Sequence, residues 1–187
     1  VSRGKVKGIG YRHDRESLLE AAIQIALSEG VSAVSFGRLA KELGISDRMV
    51  VYYFPNRADL IQSVVVGIGI ELQNMLEVAF GPDSLPAIEL MRRAWPVLST
   101  KRAQPMFNGF FEIIGLASAG QSPYAELAPA LMNGWIEWLA QRVKAKTARQ
   151  RRDIAASVVS QIDGLLLIRR MSGARIANAA ARELGIA

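Results

Sequence analysis

The sequence predicts an all-α protein of about nine helices, and three observations carry that expectation. Apolar residues recur at helical spacing from Arg15 almost to the end of the chain, interrupted at Gly and Pro. No stretch sustains the period-two alternation of a half-buried strand. Residues 36–55 read as two short helices joined at Gly44, a helix-turn-helix.

Arg15 to Glu29 is the first amphipathic helix. Leu18, Leu19, Ala22, Ile23, Ala26 and Leu27 fall on one face, and Gly30 stops it. Val31–Val34 is a short apolar connector. Ser35 caps a second helix that runs to Leu43. Ser46 caps the third, with Asp47 in its first turn suiting the helix dipole. Pro55 disfavours helix at Phe54, and Asn56 caps the fourth helix. That helix is long, from Arg57 to about Phe80, and is weakened at Gly67 and Gly69, where it bends or packs closely. Gly81-Pro82-Asp83 ends it. Further helices are expected over 85–100, 104–119, 123–146, 149–171 and 174–184, with Pro96 kinking or dividing the first. The chain divides into two domains: residues 1–56, a helix-turn-helix with a basic N-terminal arm, and residues 57–187, wholly helical.

A helix-turn-helix places its second helix in the DNA major groove. Here Ala40 is small where the helices cross, and Gly44 turns the chain through a left-handed conformation. Val50 packs inward with Leu39, Leu43 and Ile45. Asp47, Arg48, Met49, Tyr52 and Tyr53 are left to point outward or along the edge. Arg48 carries the two-donor fork that matches guanine O6 and N7, and Met49 suits a thymine methyl. Asp47 could accept from cytosine N4, cap the helix or pair with Arg48. Tyr53 shares a face with Val50 and is expected to pack beneath the helix.

The segment Leu18-Leu19-Glu20-Ala21-Ala22 through Gly30, then Ser35 to Gly44, then Val51 to Leu60 resembles the N-terminal domain of TetR-family transcriptional regulators. The resemblance covers residues 12–62. It implies an all-α homodimer that binds a near-palindromic double-stranded operator, most simply as a repressor. It also implies a small-molecule effector site among the middle helices, and a dimer contact in the last two long helices. By position it places Ser35, Gly37, Arg38 and Arg57 beside the DNA, the last as a phosphate contact. It puts Arg48 and Met49 at the bases and Tyr52 and Tyr53 at the backbone. Val51 stands where the family commonly has Tyr, and Gly37 offers no side chain, so base readout rests on Arg48 and Met49.

The remaining two thirds is rich in large adaptable side chains. Met75, Met91, Trp95, Met106, Phe107, Phe110, Phe111, Met132, Trp135 and Trp138 are core by default, and several of them would line an effector cavity. Asn108, Glu112, Asn133, Gln161 and Asp163 are polar residues within apolar helices and need partners if buried. The ligand candidates are thus Met75, Met91, Trp95, Phe107, Asn108, Phe110, Phe111, Glu112, Met132 and Trp135, and the expected ligand is hydrophobic or aromatic. Dimerisation is placed on 149–186, through Ile154, Val158, Ile162, Leu165, Leu166 and Ile168.

Composition narrows the classes. The chain has 187 residues, half of them hydrophobic, with a net charge of +6 and no cysteine. Thiolate metal sites and cysteine nucleophiles are excluded. Its one histidine, His13, has no carboxylate or metal-spaced neighbour, and no phosphate-cradling loop is present, so neither catalysis nor a cofactor is expected. Arg3, Lys5, Lys7 and Arg12 form a basic arm ahead of the first helix, suited to phosphates or to solubility. Arg142, Lys144, Lys146, Arg149, Arg151 and Arg152 read as a solvated helix end. No secretory leader and no membrane span is expected, since apolar runs break well short of a bilayer, which places the protein in the cytoplasm. A helical ligand-binding enzyme and a protein-binding scaffold are the competing readings.

Overall fold

The computed structural model describes residues 14–187. The expected basic arm and His13 lie outside them. Among the described residues there are nine α-helices: α1 (Arg15–Glu29), α2 (Phe36–Leu43), α3 (Asp47–Tyr53), α4 (Arg57–Phe80), α5 (Ala87–Leu98), α6 (Gln104–Ser118), α7 (Tyr124–Ala140), α8 (Ala148–Ser172) and α9 (Ala174–Glu183). One 3-10 turn, Val31–Ala33, joins α1 to α2.

Local chemistry sets most of these ends. Asp14 caps α1, its carboxylate accepting from the Ser17 N–H at 2.8 Å. The Ser35 hydroxyl accepts from the Arg38 N–H at 3.2 Å, and Asn56 Oδ1 from the Asp59 N–H at 2.9 Å. Gly44 ends α2 in the left-handed region, at φ 65°, where a side chain would be strained. Ser46 holds the N-cap position of α3, but its side chain makes no capping bond. The turn closes instead through the backbone, with the Met49 N–H donating to the Ser46 carbonyl at 2.9 Å.

Two apolar cores are stacked along α4. Leu18, Ala22, Val34, Leu39, Val50, Phe54, Leu60, Ile61 and Val64 form the first, closed by Ile113 of α6 and Tyr124 of α7. Leu72, Leu76 and Phe80 enter the second, with Leu90, Trp95, Leu98, Met106, Leu139, Val158, Ile162 and Leu166. α4 therefore serves both. Gly67 sits where α1 crosses it: a Cβ there would lie 2.6 Å from Ile23 Cδ1.

Several expectations change. α4 does reach the length and apolarity of a membrane span, with mean hydropathy 1.4, because Gly67 and Gly69 do not interrupt it. Its apolar residues supply two cores and a cavity wall. α5 passes through Pro96 undivided and ends at Leu98, so the proline removes at most one bond near the terminus. α7 stops at Ala140 rather than 146. There Val143 is buried against Leu85, whose N–H donates to the Arg142 carbonyl at 2.7 Å and whose carbonyl accepts from Lys144 at 2.8 Å. α8 also turns a different face outward. Val158, Ile162, Leu165 and Leu166, expected to meet a partner, are buried in the chain's own core. Of the expected set Ile168 is exposed, together with Leu167 and Met171 of α8, Ile176 of α9 and Leu184 just beyond it.

The second basic run is held locally. Arg142 pairs with Glu77, Arg152 with Glu137 at 2.6 Å, and Arg149 with Asp153 at 3.9 Å.

Candidate nucleic-acid interface and cavity

α3 is an amphipathic helix of two turns. Val50 is fully buried, as is Phe54 just beyond the helix, and together they anchor it to the first core. The opposite surface exposes Asp47, Arg48, Met49, Val51 and Tyr52, and Tyr52 is 80% exposed. Tyr53 is half-buried against the core, its ring edge-on to Tyr52 with centroids 5.0 Å apart. Arg48 has no partner among the described residues, so its guanidinium is available to a ligand. The Asp47 carboxylate faces α2, where a Cβ on Gly37 would stand 3.7 Å from Oδ2. The absence of a side chain at Gly37 leaves room for that approach.

The other two arginines of the expected contact set are engaged. Arg38 donates to Glu29 at 2.5 and 3.1 Å and to Glu42 at 2.7 Å. It ties α2 to the end of α1. Arg57 points to the connector, with Nε 3.4 Å from the Val34 carbonyl and Nη2 3.3 Å from that of Ser32. Nη2 also lies 3.4 Å from the Tyr124 hydroxyl. Arg57 therefore joins α4, the connector and α7.

A cavity of about 440 Å³ lies between the helices that come after the first core. α4, α5, α6, α7 and α8 all contribute to its wall, and Val31 of the connector closes one side. This volume is in the usual range for small-molecule sites, about 300–1,000 Å³. Of the ligand candidates, Phe107, Phe110, Met132 and Trp135 line it. Met91 and Trp95 do not: they are buried in the second core, against which Met75 is half-buried. Asn108 and Phe111 line a separate pocket of about 230 Å³ with Arg169 and Arg170, and Asn108 accepts a hydrogen bond from Arg170. Glu112 turns away from the cavity and binds the connector, its carboxylate accepting from the Val31 N–H at 2.8 Å and the Ser32 N–H at 2.9 Å. Burial raises the Glu112 pKa, but bonds from the Ser32 hydroxyl and the two N–H groups outweigh it and leave the pKa below its usual value.

Periodicity does not reveal the wall residues Val31, Gln62, Val65 and Gln73, because whether an outward α4 residue meets solvent or a cavity depends on its neighbours. Of the five embedded polar residues, Asp163 alone reaches the cavity. Asn133 accepts from Arg152, and Gln161 donates to Ser157. Burial pushes the Asp163 carboxyl up to about 6. Among the described residues no cluster of three or more His, Asp or Glu side chains could hold a metal.

Residues 18–64 match the family model of the bacterial regulatory proteins, tetR family. The match spans α1, α2, α3 and the start of α4, the elements that build the exposed α3 surface. This segment is a TetR-family N-terminal domain. Solved structures extend the likeness to the whole fold. A TetR transcriptional regulator from Legionella pneumophila aligns over 94% of this chain and 97% of its own, with TM-score 0.64 and 21% identity. A transcriptional regulator from Rhodococcus sp. Rha1 aligns over 84% and 83%, with TM-score 0.63 and 18% identity. The multidrug binding protein EbrR complexed with proflavin aligns over 91% and 96%, with TM-score 0.64 and 20% identity. At such identities these likenesses establish the fold. A search of curated proteins finds no match. The family-model match and the shared fold support a DNA-binding transcriptional regulator.

Proposed function

We propose that this TetR-family regulator is a cytoplasmic repressor. It binds a near-palindromic operator as a homodimer and leaves it when a small hydrophobic or aromatic ligand fills the cavity. One observation carries the reading: only three residues separate α3 from α4, which continues as a wall of the cavity. A change in cavity shape that moves α4 moves the reading helix with it. Residues 1–56 are then the DNA-binding unit and 57–187 the effector and dimer unit.

Arg48 reads a base, Met49 contacts a base edge, and Asp47, Tyr52 and Tyr53 meet flanking groups. Ser35, at the N-terminus of α2, faces a phosphate. Arg38 and Arg57 act mainly by holding α2 and α4 in place, since their donors are already engaged. The exposed Leu167, Ile168, Met171, Ile176 and Leu184 supply the partner face, a cluster of large apolar groups that water disfavours. A twofold dimer spaces its two reading helices one DNA turn apart, about 34–36 Å. A ligand that prefers another spacing lowers DNA affinity by the factor that DNA lowers its own. EbrR, with its bound proflavin, supports a cavity of this fold taking an aromatic compound.

The test is a footprint on the DNA flanking the gene, repeated with added hydrophobic compounds. A protected near-palindrome that is released by a compound supports the reading. The absence of any salt-dependent protection rejects it.

A further inference from the structure

The wall of the cavity is apolar almost throughout, with Gln62 and Gln73 as its uncharged polar side chains. Asp163, on α8, is the one ionisable group that the described residues place on it. No hydrogen bond or ion pair meets its carboxylate among them. The nearest basic residues along α8 in sequence, Arg169 and Arg170, line the separate smaller pocket, and Arg170 is bonded to Asn108. α4, α5, α6 and α7 bring no cation to the wall.

An unpaired carboxylate in apolar surroundings is costly, and a chain folding for stability alone would pair it or replace it. Its carboxyl is pushed up to about 6, which still leaves it mostly ionised at neutral pH. The same wall carries two aromatic pairs. Trp135 and Trp138 are set edge to face with centroids 5.3 Å apart, and Phe107 and Phe110 likewise at 6.4 Å. Aromatic faces attract cations, and do so more strongly once water is excluded.

We propose that the cavity selects a lipophilic monocation, with Asp163 as its counter-ion and the paired aromatic rings as its bed. This rests on the cavity being the effector site and adds the charge of the effector. An anionic compound is rejected by Asp163, and a neutral one leaves that charge unpaired. The carboxylate contributes affinity only when the ligand brings the opposite charge, because it gains an interaction inside a weakly polarisable site.

Equilibrium dialysis at pH 7.5 with two dyes of one shape tests this: 9-aminoacridine, protonated at that pH, and acridine, uncharged. The expected result is about tenfold tighter binding of 9-aminoacridine, corresponding to about 1.4 kcal/mol. Asp163→Asn, near-isosteric and checked for helicity, removes that preference and leaves acridine within about twofold of the parent protein, since only the charge term is lost. Equal binding of both dyes to the parent protein overturns the monocation and leaves the effector site standing. Binding of neither dye overturns both. A preference that survives in folded Asp163→Asn overturns the counter-ion. The comparison of dyes on the parent protein decides the matter even if the variant does not fold.

Discussion

The carboxylate of Glu112, in the middle of α6, closes on the backbone of Val31 and Ser32, eighty residues earlier in the chain, at 2.8 and 2.9 Å. It fastens a helix of the cavity wall to the connector that leads into α2. Glu112→Ala leaves two N–H groups without their acceptor, one of them on buried Val31. The expected loss of stability is about 1–3 kcal/mol, read by denaturant unfolding. Glu112→Gln keeps one acceptor oxygen and should lose less. Because the folded pKa lies below 4.5, the contribution is present above that pH and is lost as pH falls through the folded value. Both variants should therefore show a flatter acid limb than the parent protein.

Arg48→Ala is expected to weaken operator binding and relax preference at one base pair, by about 1–3 kcal/mol. Gel-shift titrations against a set of single-base operator variants read this directly. Unchanged affinity would remove Arg48 as the base reader. Arg57→Ala should act differently. Its guanidinium joins α4 to the connector and α7, so the expected effect is lower thermal stability, with little change in the salt slope of DNA binding.

Asp163 sets a pH dependence of the opposite sign to Glu112. Its folded pKa is raised from 3.8 to about 6, so the folded state holds the proton more tightly than the unfolded chain does. The penalty is absent below the unfolded pKa and complete above the folded one, growing as pH rises between them. Asp163→Asn should be more stable than the parent at pH 7, by up to about 3 kcal/mol, and alike at pH 3.5. Thermal unfolding across that range provides the measurement.

Gly67→Ala places a methyl group against Ile23 Cδ1, 2.6 Å away. The helix gains about 1 kcal/mol of propensity and the interface loses about 1–3 kcal/mol to overpacking. The only atom in the way is the terminal methyl of the half-buried Ile23, so the overpacking cost is at the low end and the two effects nearly cancel. Adding Ile23→Val removes the colliding carbon, and the double variant should unfold at a higher temperature than Gly67→Ala alone.

Met171→Glu puts a charge on the exposed apolar surface at the C-terminal end of α8, where Met171 is 67% exposed. The chain should fold normally and sediment as a monomer, and its operator affinity should fall with the loss of the second half-site. A dimer that survives the substitution would move the partner face elsewhere.

Much of this was legible from short-range chemistry. Gly30, Gly44, Ser35 and Asn56 end or cap their helices through groups within a few residues, so sequence neighbours decide them. Ser46 shows the limit, because a hydroxyl and a backbone carbonyl compete for the same N–H, and geometry settles which wins. Which α8 residues face inward was not legible: Leu165, Leu166, Leu167 and Ile168 are four apolar residues in a row, and a row has no face. The stop at Ala140 depends on Leu85, more than fifty residues away. The cavity wall is a meeting of five helices, so single-helix periodicity does not separate Phe107, on the wall, from Trp95, in the core.

Val31 belongs to the connector, is fully buried, and is also the one residue of that connector on the cavity wall. Val31 also packs beside Gly109 of α6, between the rings of Phe107 and Phe110 in sequence. On the proposed reading, a compound bedded on those rings bears directly on the connector into α2 as well as on α4. Val31→Ala should therefore weaken the release of DNA by a compound more than it weakens the binding of that compound, so that binding and release part company in one variant.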